Sequence, residues 1–461
     1  MISDWKGKKI LIVGKGIEGN AVNKYLRKHL RNAVIDIVDQ KDGDNYLDRQ
    51  KKYDIAIKSP GVKRELIKIP YTTSTNIFLA NSKGKVIGVT GTKGKSTTST
   101  LIYEMLKEEG FDAYLGGNIG RSPLEFLDKL SDRSWIVLEM SSFQLQDVKK
   151  SPNIAVMLMI EEEHLDFHKS LENYIDTKRN IFRFQTPLDF AIMNRDYLVT
   201  NESDIFTKGK IFRISREKEV TEGCFVEKGK IVIRTLGKLG EIDRQNVRTS
   251  DGQKFLRNRQ TECSEFSEIE IIDINKIKLL GKHNLENVCA AVMAASLAGV
   301  SKTSIRKVLS EFSGLEHRLE FVKDINGIRF YNDSLATIPQ ATIEALEALP
   351  QTETLIAGGH DRGLDYSHLA KYLNNGQIKT LILFSPTGKR IWKAVCDEIP
   401  KDNRPEKFDV KTMEQAVRLA AAETAIGKIC LLSPASASFG IFKDYKDRGE
   451  QFKKEISKLK S

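Results

Sequence analysis

Residues 85–107 read KVIGVTGTKGKSTTSTLIYEMLK. Val86, Ile87 and Val89 form an apolar run that predicts a buried strand. Gly91, Gly94, Lys95, Ser96 and Thr97 follow. The pattern then changes to a helical one, with Leu101, Ile102, Met105 and Leu106 at three-to-four spacing. Strand, glycine-rich loop and a helix opening in Lys-Ser make a phosphate cradle, because backbone N–H groups of the loop and the helix start point at anionic oxygens. Lys95 is placed to reach the β- and γ-phosphates, and the Ser96 hydroxyl to ligate Mg²⁺. Glycine is needed where a Cβ would block the close approach. The spacing is not a strict Walker A pattern. That pattern wants glycine at 89, where Val89 stands, and the additional glycines are Gly88 and Gly91. A glycine-rich turn with a chance Lys-Ser is the plain alternative; the periods of the flanking strand and helix favour a triphosphate site.

Working outward, 461 residues are long for a single core, so two to four domains are expected. A hydrophobic fraction of 40% with 29% charged residues fits a globular protein. The net charge of +11 carries no compact basic tract and no interleaved aromatics, which argues against nucleic acid and suits small anionic ligands. Cys224, Cys263, Cys289, Cys396 and Cys430 are far apart and include no CxxC, so neither a disulfide frame nor a zinc site is expected. The chain opens MISDWKGKK without a signal-peptide pattern, and its longest apolar stretches, 154–160 and 289–300, are too short for a bilayer. A cytoplasmic protein with no membrane partner is expected.

Before the phosphate loop, Lys9–Val13 predicts a strand, followed by Gly14-Lys-Gly16-Ile-Glu-Gly19 and a helical segment through Ala21, Val22, Tyr25 and Leu26. A second strand, 33–38, ends at Asp39. This is a dinucleotide fingerprint on its face. About 85 residues are too few for both halves of a dinucleotide fold, so a mononucleotide-binding α/β domain is expected. Strand 54–57 then leads into Ser59-Pro60-Gly61.

After the loop, Gly116-Gly-Asn118-Ile-Gly120 predicts a polar turn, and 134–140 predicts an apolar strand with Glu139 near its C-terminal end, where open α/β sheets bind ligands. A carboxylate there can hold Mg²⁺, or simply cap a helix. Strand 153–160 runs into Glu161-Glu-Glu-His164-Leu-Asp166-Phe-His168, a cluster suited to metal or acid–base work or to a solvated helix start. A helix over 174–183 carries Lys178. Residues 196–270 are polar, with short strands at 224–226, 230–233 and 269–274, and predict a small peripheral sheet without chemistry. Asn284 and Asn287 share one face of an Ala-rich helix and can hold a purine or cap the helix. From residue 315 strands at 329–331, 354–357, 379–384 and 428–432 alternate with helices, each strand ending in polar residues: a doubly wound α/β domain.

The motifs GVTGTKGKSTT, GGNIG, LEMSSFQL, EHLDFH, GKHNLEN, GLEHRLE, NDSLAT, GGHDRG and LLSPASAS occur in the order and spacing of the Mur ligases, which the chain resembles from about residue 7 to 456. SSFQL and SPASAS point to the branch of that family that adds D-glutamate. The resemblance implies an α/β protein of three domains: a Rossmann-like UDP-binding domain (1–84), a central P-loop ATPase-type parallel sheet with its small peripheral sheet (85–314), and a doubly wound Rossmann-like domain for the amino acid (315–461). It implies ATP-dependent amide ligation through an acyl phosphate, with ATP, two Mg²⁺ sites, a UDP-N-acetylmuramoyl-L-alanine substrate and D-glutamate, in a monomer.

By the same resemblance Lys95, Glu139, His164 and Lys178 are catalytic. Ser96, Glu139, His164 and a carbamylated Lys178 hold metal. Gly91, Thr92, Lys93, Gly94, Lys95, Ser96, Thr97, Asn284, Asn287, Arg318 and Asp333 bind ATP. Gly14, Gly16, Ile17, Glu18, Asp39, Lys41, Gly61, Asn118, Ser141 and Gln144 bind the UDP substrate, and Thr337, Arg362, Ser438 and Tyr445 bind D-glutamate. The chain departs from the family pattern at Lys93, Leu335 and Met159, and at Glu18, whose charge would repel a diphosphate unless it turned outward. The rivals are a ligase of the same group with another amino acid, an oxidoreductase using the first domain for NAD, and a non-catalytic nucleotide-binding module.

Overall fold

The computed structural model describes residues 2–161, 165–236, 266–279, 281–282 and 284–459. The chain divides into two compact units, one of residues 1–277 and 283–312, the other of 278–282 and 313–461.

The first unit carries two sheets. One holds β1 (Lys9–Val13), β2 (Val34–Val38), β3 (Ile55–Lys58) and β4 (Tyr71–Thr73) in the order β2-β1-β3-β4, all parallel. This is one mononucleotide half, as the length of the segment predicts. The helix Ile17–His29 buries Ala21, Val22, Tyr25 and Leu26, the residues whose spacing predicts it.

The second sheet contains β5 (Lys85–Thr90), β6 (Ala113–Gly117), β7 (Trp135–Glu139), β8 (Ile154–Met157), β9 (Phe190–Asn194), β10 (Lys210–Ser215), β11 (Gly223–Glu227), β12 (Lys230–Leu236) and β13 (Phe266–Asp273). Among the described residues their order is β13-β12-β11-β10-β9-β8-β5-β7-β6. The strands expected as a small peripheral sheet are therefore hydrogen-bonded onto the edge of the central one. β10 pairs parallel with both β9 and β11, and among the described strands only β12 runs opposite to its neighbours, antiparallel to both β11 and β13. The parallel strands β5, β7 and β8 are buried along their length, and read accordingly as continuous apolar runs.

One hydrophobic core runs through both sheets of this unit, joining Ile77 and Phe78 to Phe126, Leu138 and Met157. Phe78 meets Phe126 edge-on at 6.0 Å between centroids. Beside it lies a buried polar seam. The Lys58 ammonium is fully buried, 3.1 Å from Asp147 Oδ2, and donates to the Val62 carbonyl. Tyr71 Oη donates to Asp147 Oδ1 at 2.8 Å, and Asn76 Nδ2 to the Asp147 carbonyl at 2.8 Å.

The second unit has one sheet: β14 (Glu320–Ile325), β15 (Ile328–Asn332), β16 (Thr352–Gly358), β17 (Thr380–Phe384), β18 (Glu406–Val410) and β19 (Ile429–Leu432), in the order β14-β15-β19-β16-β17-β18. It is parallel except for the β14–β15 hairpin, with apolar clusters on both faces, as expected of a doubly wound sheet. No helix among the described residues is long and apolar enough to cross a membrane.

Candidate functional site

The phosphate loop joins β5 to the helix Lys95–Glu108. Gly94 is the helix N-cap with φ 83°, a left-handed conformation that favours glycine. A Cβ on it would also come within 2.1 Å of Asn287 Oδ1, so the loop and the helix Asn284–Leu297 lie in direct contact. Asn287 Nδ2 donates to Asn284 Oδ1 at 2.8 Å, and Thr98 Oγ1 lies 3.4 Å from Asn287 Oδ1. The asparagine pair thus braces the loop. Thr92 anchors the other flank: its N–H donates to the Met159 carbonyl at 2.7 Å, its hydroxyl accepts from the Glu161 N–H at 3.0 Å, and Tyr174 Oη lies 3.0 Å from that hydroxyl. Lys93 points to Glu161, 3.8 Å from Oε2.

Four expected residues converge here. Lys95 Nζ folds back onto the loop and donates to the carbonyls of Gly91 at 3.0 Å and Thr92 at 2.8 Å. Ser96 Oγ donates to Glu139 Oε2 at 2.7 Å. Glu139 is only 2% exposed, and its other oxygen accepts from Asn118 Nδ2 at 2.7 Å. Lys178, 1% exposed, donates to the same Gly91 carbonyl at 2.8 Å, its ammonium 4.7 Å above the Tyr174 ring. Thr97 is buried in the first helical turn. A hydroxyl and a carboxylate side by side at a helix N-terminus form an oxygen donor set that suits Mg²⁺. His164 lies outside the described residues, as does Cys263. His168 is buried, with Nε2 3.0 Å from Ser142 Oγ and its ring against Phe143, Phe167 and Tyr174, a core position that neither reading of that cluster foresaw.

The first sheet presents the expected glycine loop. Gly14 has φ 109°, and a Cβ on it would strike Ser59 Oγ at 2.5 Å; a Cβ on Gly19 would strike the Gly14 carbonyl at 1.8 Å. Gly16 and Gly61 face open space, and Ile17 is 73% exposed. Asp39 accepts from the N–H groups of Lys15 at 2.7 Å and Lys41 at 3.1 Å, which hold its carboxyl below the usual range. Lys41 is exposed.

Glu18 does not turn outward. Its Oε1 accepts from Gln144 Nε2 at 2.6 Å, and its Oε2 from the Ser74 hydroxyl. Burial pushes its carboxyl above the usual range, against the pull of those two bonds and of Lys58. Both oxygens of Glu18 are thus engaged in the seam between the two sheets. Ser141 and Gln144 form a capping box on the short helix Ser142–Leu145: Ser141 Oγ accepts from the Gln144 N–H at 3.3 Å, and Gln144 Oε1 from the Ser141 N–H at 3.0 Å. The S-x-x-Q spacing carried that signal. Glu18, Gln144 and Ser141, expected separately around the substrate, are thus bonded to one another.

In the second unit Asp333 is fully buried and accepts from Ser433 Oγ at 2.8 Å and the Leu319 N–H at 3.3 Å; burial raises its carboxyl to about 7. Arg318 and Thr337 are half-buried, Arg362 is exposed, Ser438 is buried and Tyr445 half-buried. Sequence reasoning missed Arg448, which is fully buried. Its guanidinium donates to Ser334 Oγ at 2.9 Å, to the Ser334 carbonyl at 2.8 Å and to the Ser436 carbonyl at 3.1 Å. Ser334 Oγ in turn donates to the Tyr445 carbonyl at 2.7 Å. One arginine therefore ties the N-D-S turn to the S-P-A-S-A-S stretch. Its signal was the helical spacing Tyr445–Arg448, which puts both on one face. Tyr174 was also missed; its spacing to Lys178 is the same kind of signal.

Residues 89–295 match the Mur ligase middle domain, and residues 317–436 match the Mur ligase glutamate ligase domain. A UDP-N-acetylmuramoylalanine–D-glutamate ligase of Acetivibrio thermocellus is 34% identical over 487 aligned residues, covering 99% of this chain and 97% of the relative. The enzyme of that name from Clostridium acetobutylicum is 34% identical over 486, with the same coverage. Among solved structures, the UDP-N-acetylmuramate-alanine ligase MurC of Thermotoga maritima aligns with a TM-score of 0.60 at 18% identity, over 98% of this chain and 100% of its own. The MurF ligase of the same organism, in complex with ADP, aligns with a TM-score of 0.55 at 18% identity, over 99% and 97%.

Proposed function

The chain belongs to the Mur ligase family, and we propose that it joins D-glutamate to UDP-N-acetylmuramoyl-L-alanine at the expense of ATP, in peptidoglycan precursor synthesis. The full-length relatives named for that reaction support the substrate pair. The observation that carries the chemistry is the convergence of Ser96, Glu139, Lys95 and Lys178 on the phosphate loop.

The reaction has two displacements. An oxygen of the alanyl carboxylate attacks the γ-phosphorus, the bond to the β-phosphate oxygen breaks, and ADP leaves with that electron pair. The amine of D-glutamate then attacks the acyl carbon, the acyl–phosphate bond breaks, and phosphate departs while the amine proton is lost. The physical problem is to bring anions together. Lys95 exchanges its loop carbonyls for phosphate oxygens as the nucleotide arrives. The loop N–H groups and the helix N-terminus add fixed positive potential. Ser96 and Glu139 would hold one Mg²⁺, and His164 with a carbamate on Lys178 a second, and these ions would supply further charge neutralisation. An unmodified ammonium cannot ligate a cation, whereas a carbamate offers two oxygens.

The UDP substrate is proposed to lie along Gly14, Gly16 and Ile17, with Asp39, Lys41 and Gly61 at its nucleotide end and Asn118, Ser141 and Gln144 towards the muramoyl portion. Thr337, Arg362, Ser438 and Tyr445 are proposed to take D-glutamate, with the guanidinium and hydroxyls meeting its carboxylates. The chain is proposed to work as a cytoplasmic monomer of three domains, 1–84, 85–314 and 315–461.

The deciding experiment is phosphate release with ATP and UDP-N-acetylmuramoyl-L-alanine, offering D-glutamate, L-glutamate, L-lysine and diaminopimelate side by side. Release with D-glutamate alone is expected. Equal release with another amino acid, or release without any, would sink the assignment.

A further inference from the structure

Glu286 has no part in the chemistry above, yet it is a carboxylate buried to 5% exposure on the helix that leans on the phosphate loop. That helix, Asn284–Leu297, packs against the helix Lys95–Glu108 and against β9, β10 and β11. Its first turn carries three polar side chains with different destinations. Asn284 and Asn287 bond to each other, and Asn287 covers Gly94. Glu286 engages the end of β9 instead: Asn194 Nδ2 donates to its Oε2 at 2.9 Å, and Tyr197 Oη lies 3.3 Å from its Oε1. Asn194 is fully buried, the last residue of β9. The following residue but one, Asp196, accepts from the Arg216 N–H at 2.9 Å, so the segment receiving Glu286 is itself pinned to the end of β10.

Apolar burial packs a helix closely but is non-directional. In this helix Val288, Ala290, Ala291, Val292, Ala294 and Ala295 are buried by contact of this kind. Directional bonds at its first turn do hold it, and a buried carboxylate with neutral donors on both oxygens is strongly directional. An error of one ångström at the helix start would lift Asn287 from Gly94 or drive it into the loop.

We propose that Glu286 is a positioning residue for the nucleotide: by gripping Asn194 and Tyr197 it sets the register of the helix Asn284–Leu297, so that Asn287 holds the phosphate loop in its binding shape. The proposal rests on the ATP reading of that loop.

The test is titration of the full-length protein with a non-hydrolysable ATP analogue and Mg²⁺, alongside thermal melting. Glu286→Ala is expected to weaken binding about tenfold, Tyr197→Phe about two- to threefold, and Glu286→Gln, whose carbonyl still accepts from Asn194 while its amide N–H can donate to the Tyr197 hydroxyl, by no more than about twofold. The double variant Glu286→Ala with Asn287→Ala is expected to bind about as weakly as Asn287→Ala alone, because Glu286 acts through that residue. Losses that multiply in the double variant, or wild-type binding by both Glu286→Ala and Tyr197→Phe, would overturn the proposal. Where Glu286→Ala does not fold, Tyr197→Phe alone and combined with Asn287→Ala decides by the same criterion. Analogue binding by the wild type that is lost in Lys95→Ala establishes the ATP reading; no binding by the wild type would defeat that reading, and with it the premise for Glu286.

Discussion

Lys95 and Lys178, far apart in the chain, donate to one carbonyl oxygen, that of Gly91, at 3.0 and 2.8 Å. Their nitrogens therefore lie within about 6 Å of each other, which at an effective dielectric of about 20 means roughly 3 kcal/mol of repulsion between two ammonium groups. A carbamate on Lys178 would turn that repulsion into attraction and create an oxygen ligand where the loop needs one. A nucleotide that draws Lys95 away would relieve it too.

Lys178→Ala is accordingly expected to lower kcat by about a hundredfold or more, since it removes a metal-binding group at the transferred phosphate. A short-chain carboxylate such as acetate or propionate should restore part of the rate, by filling the cavity with the missing oxygens. A variant as fast as wild type, or one that carboxylates never help, would show that no carbamate on Lys178 takes part.

Asn118 holds the second oxygen of Glu139 at 2.7 Å while Ser96 holds the first. Asn118→Ala leaves that carboxylate free to rotate. The Mg²⁺ concentration for half-maximal rate should rise by about ten- to a hundredfold, the usual effect of losing a group that orients a ligand. An increase confined to the KM of the UDP substrate would instead mark Asn118 as a substrate contact only.

Asp333 makes stability depend on pH in the second unit. Its carboxyl is raised by burial from 3.8 to about 7, so the folded chain binds the proton more tightly than the unfolded one. The stabilising contribution is fully present below pH 4 and is lost as pH rises to about 7, an effect of up to roughly 4 kcal/mol. Asp333→Asn should be relatively more stable than wild type at pH 8 than at pH 5. Melting temperatures of the two proteins that run parallel over that range would refute it.

Lys58 and Asp147 face each other across the seam of the first unit, 3.1 Å apart with the lysine fully buried. Lys58→Ala leaves a buried carboxylate with Tyr71 as its remaining side-chain donor and should cost about 3–5 kcal/mol, read as a lowered melting temperature. Lys58→Met combined with Asp147→Leu should recover most of that loss. A single variant as stable as wild type would mean that water already reaches the pair.

Much of this architecture was legible. Repeated strand-to-helix changes of period predicted the parallel sheets, and the glycines at 14, 19, 91 and 94 predicted where backbone or ligand must come close. Other features were not. The short strands at 224–226, 230–233 and 269–274 read as a small peripheral sheet, because polar alternation marks an edge without saying which edge it joins; β10 settles that by pairing with both β9 and β11. Glu18 read as a charge that would repel a diphosphate unless it turned outward, because a charge in a phosphate-binding loop is costly in isolation. Gln144 and Ser74, brought to it from other elements, remove that cost. Arg448 could not be singled out because arginine rarely lies fully buried without partners, and its partners are carbonyls and a serine from two distant turns.

The order of residues alone determined the phosphate loop, its glycines and the alternation of strands and helices, because these depend on periodicity and local sterics. Membership of the family followed from motifs kept in order. Tertiary structure alone decided which side chains meet: that two lysines share Gly91, that Asn118 orients Glu139, and that Glu286 grips β9 while Asn287 covers the loop. Such contacts are set by where whole elements pack, and a hydrogen bond between residues far apart in the chain leaves no periodic trace in it.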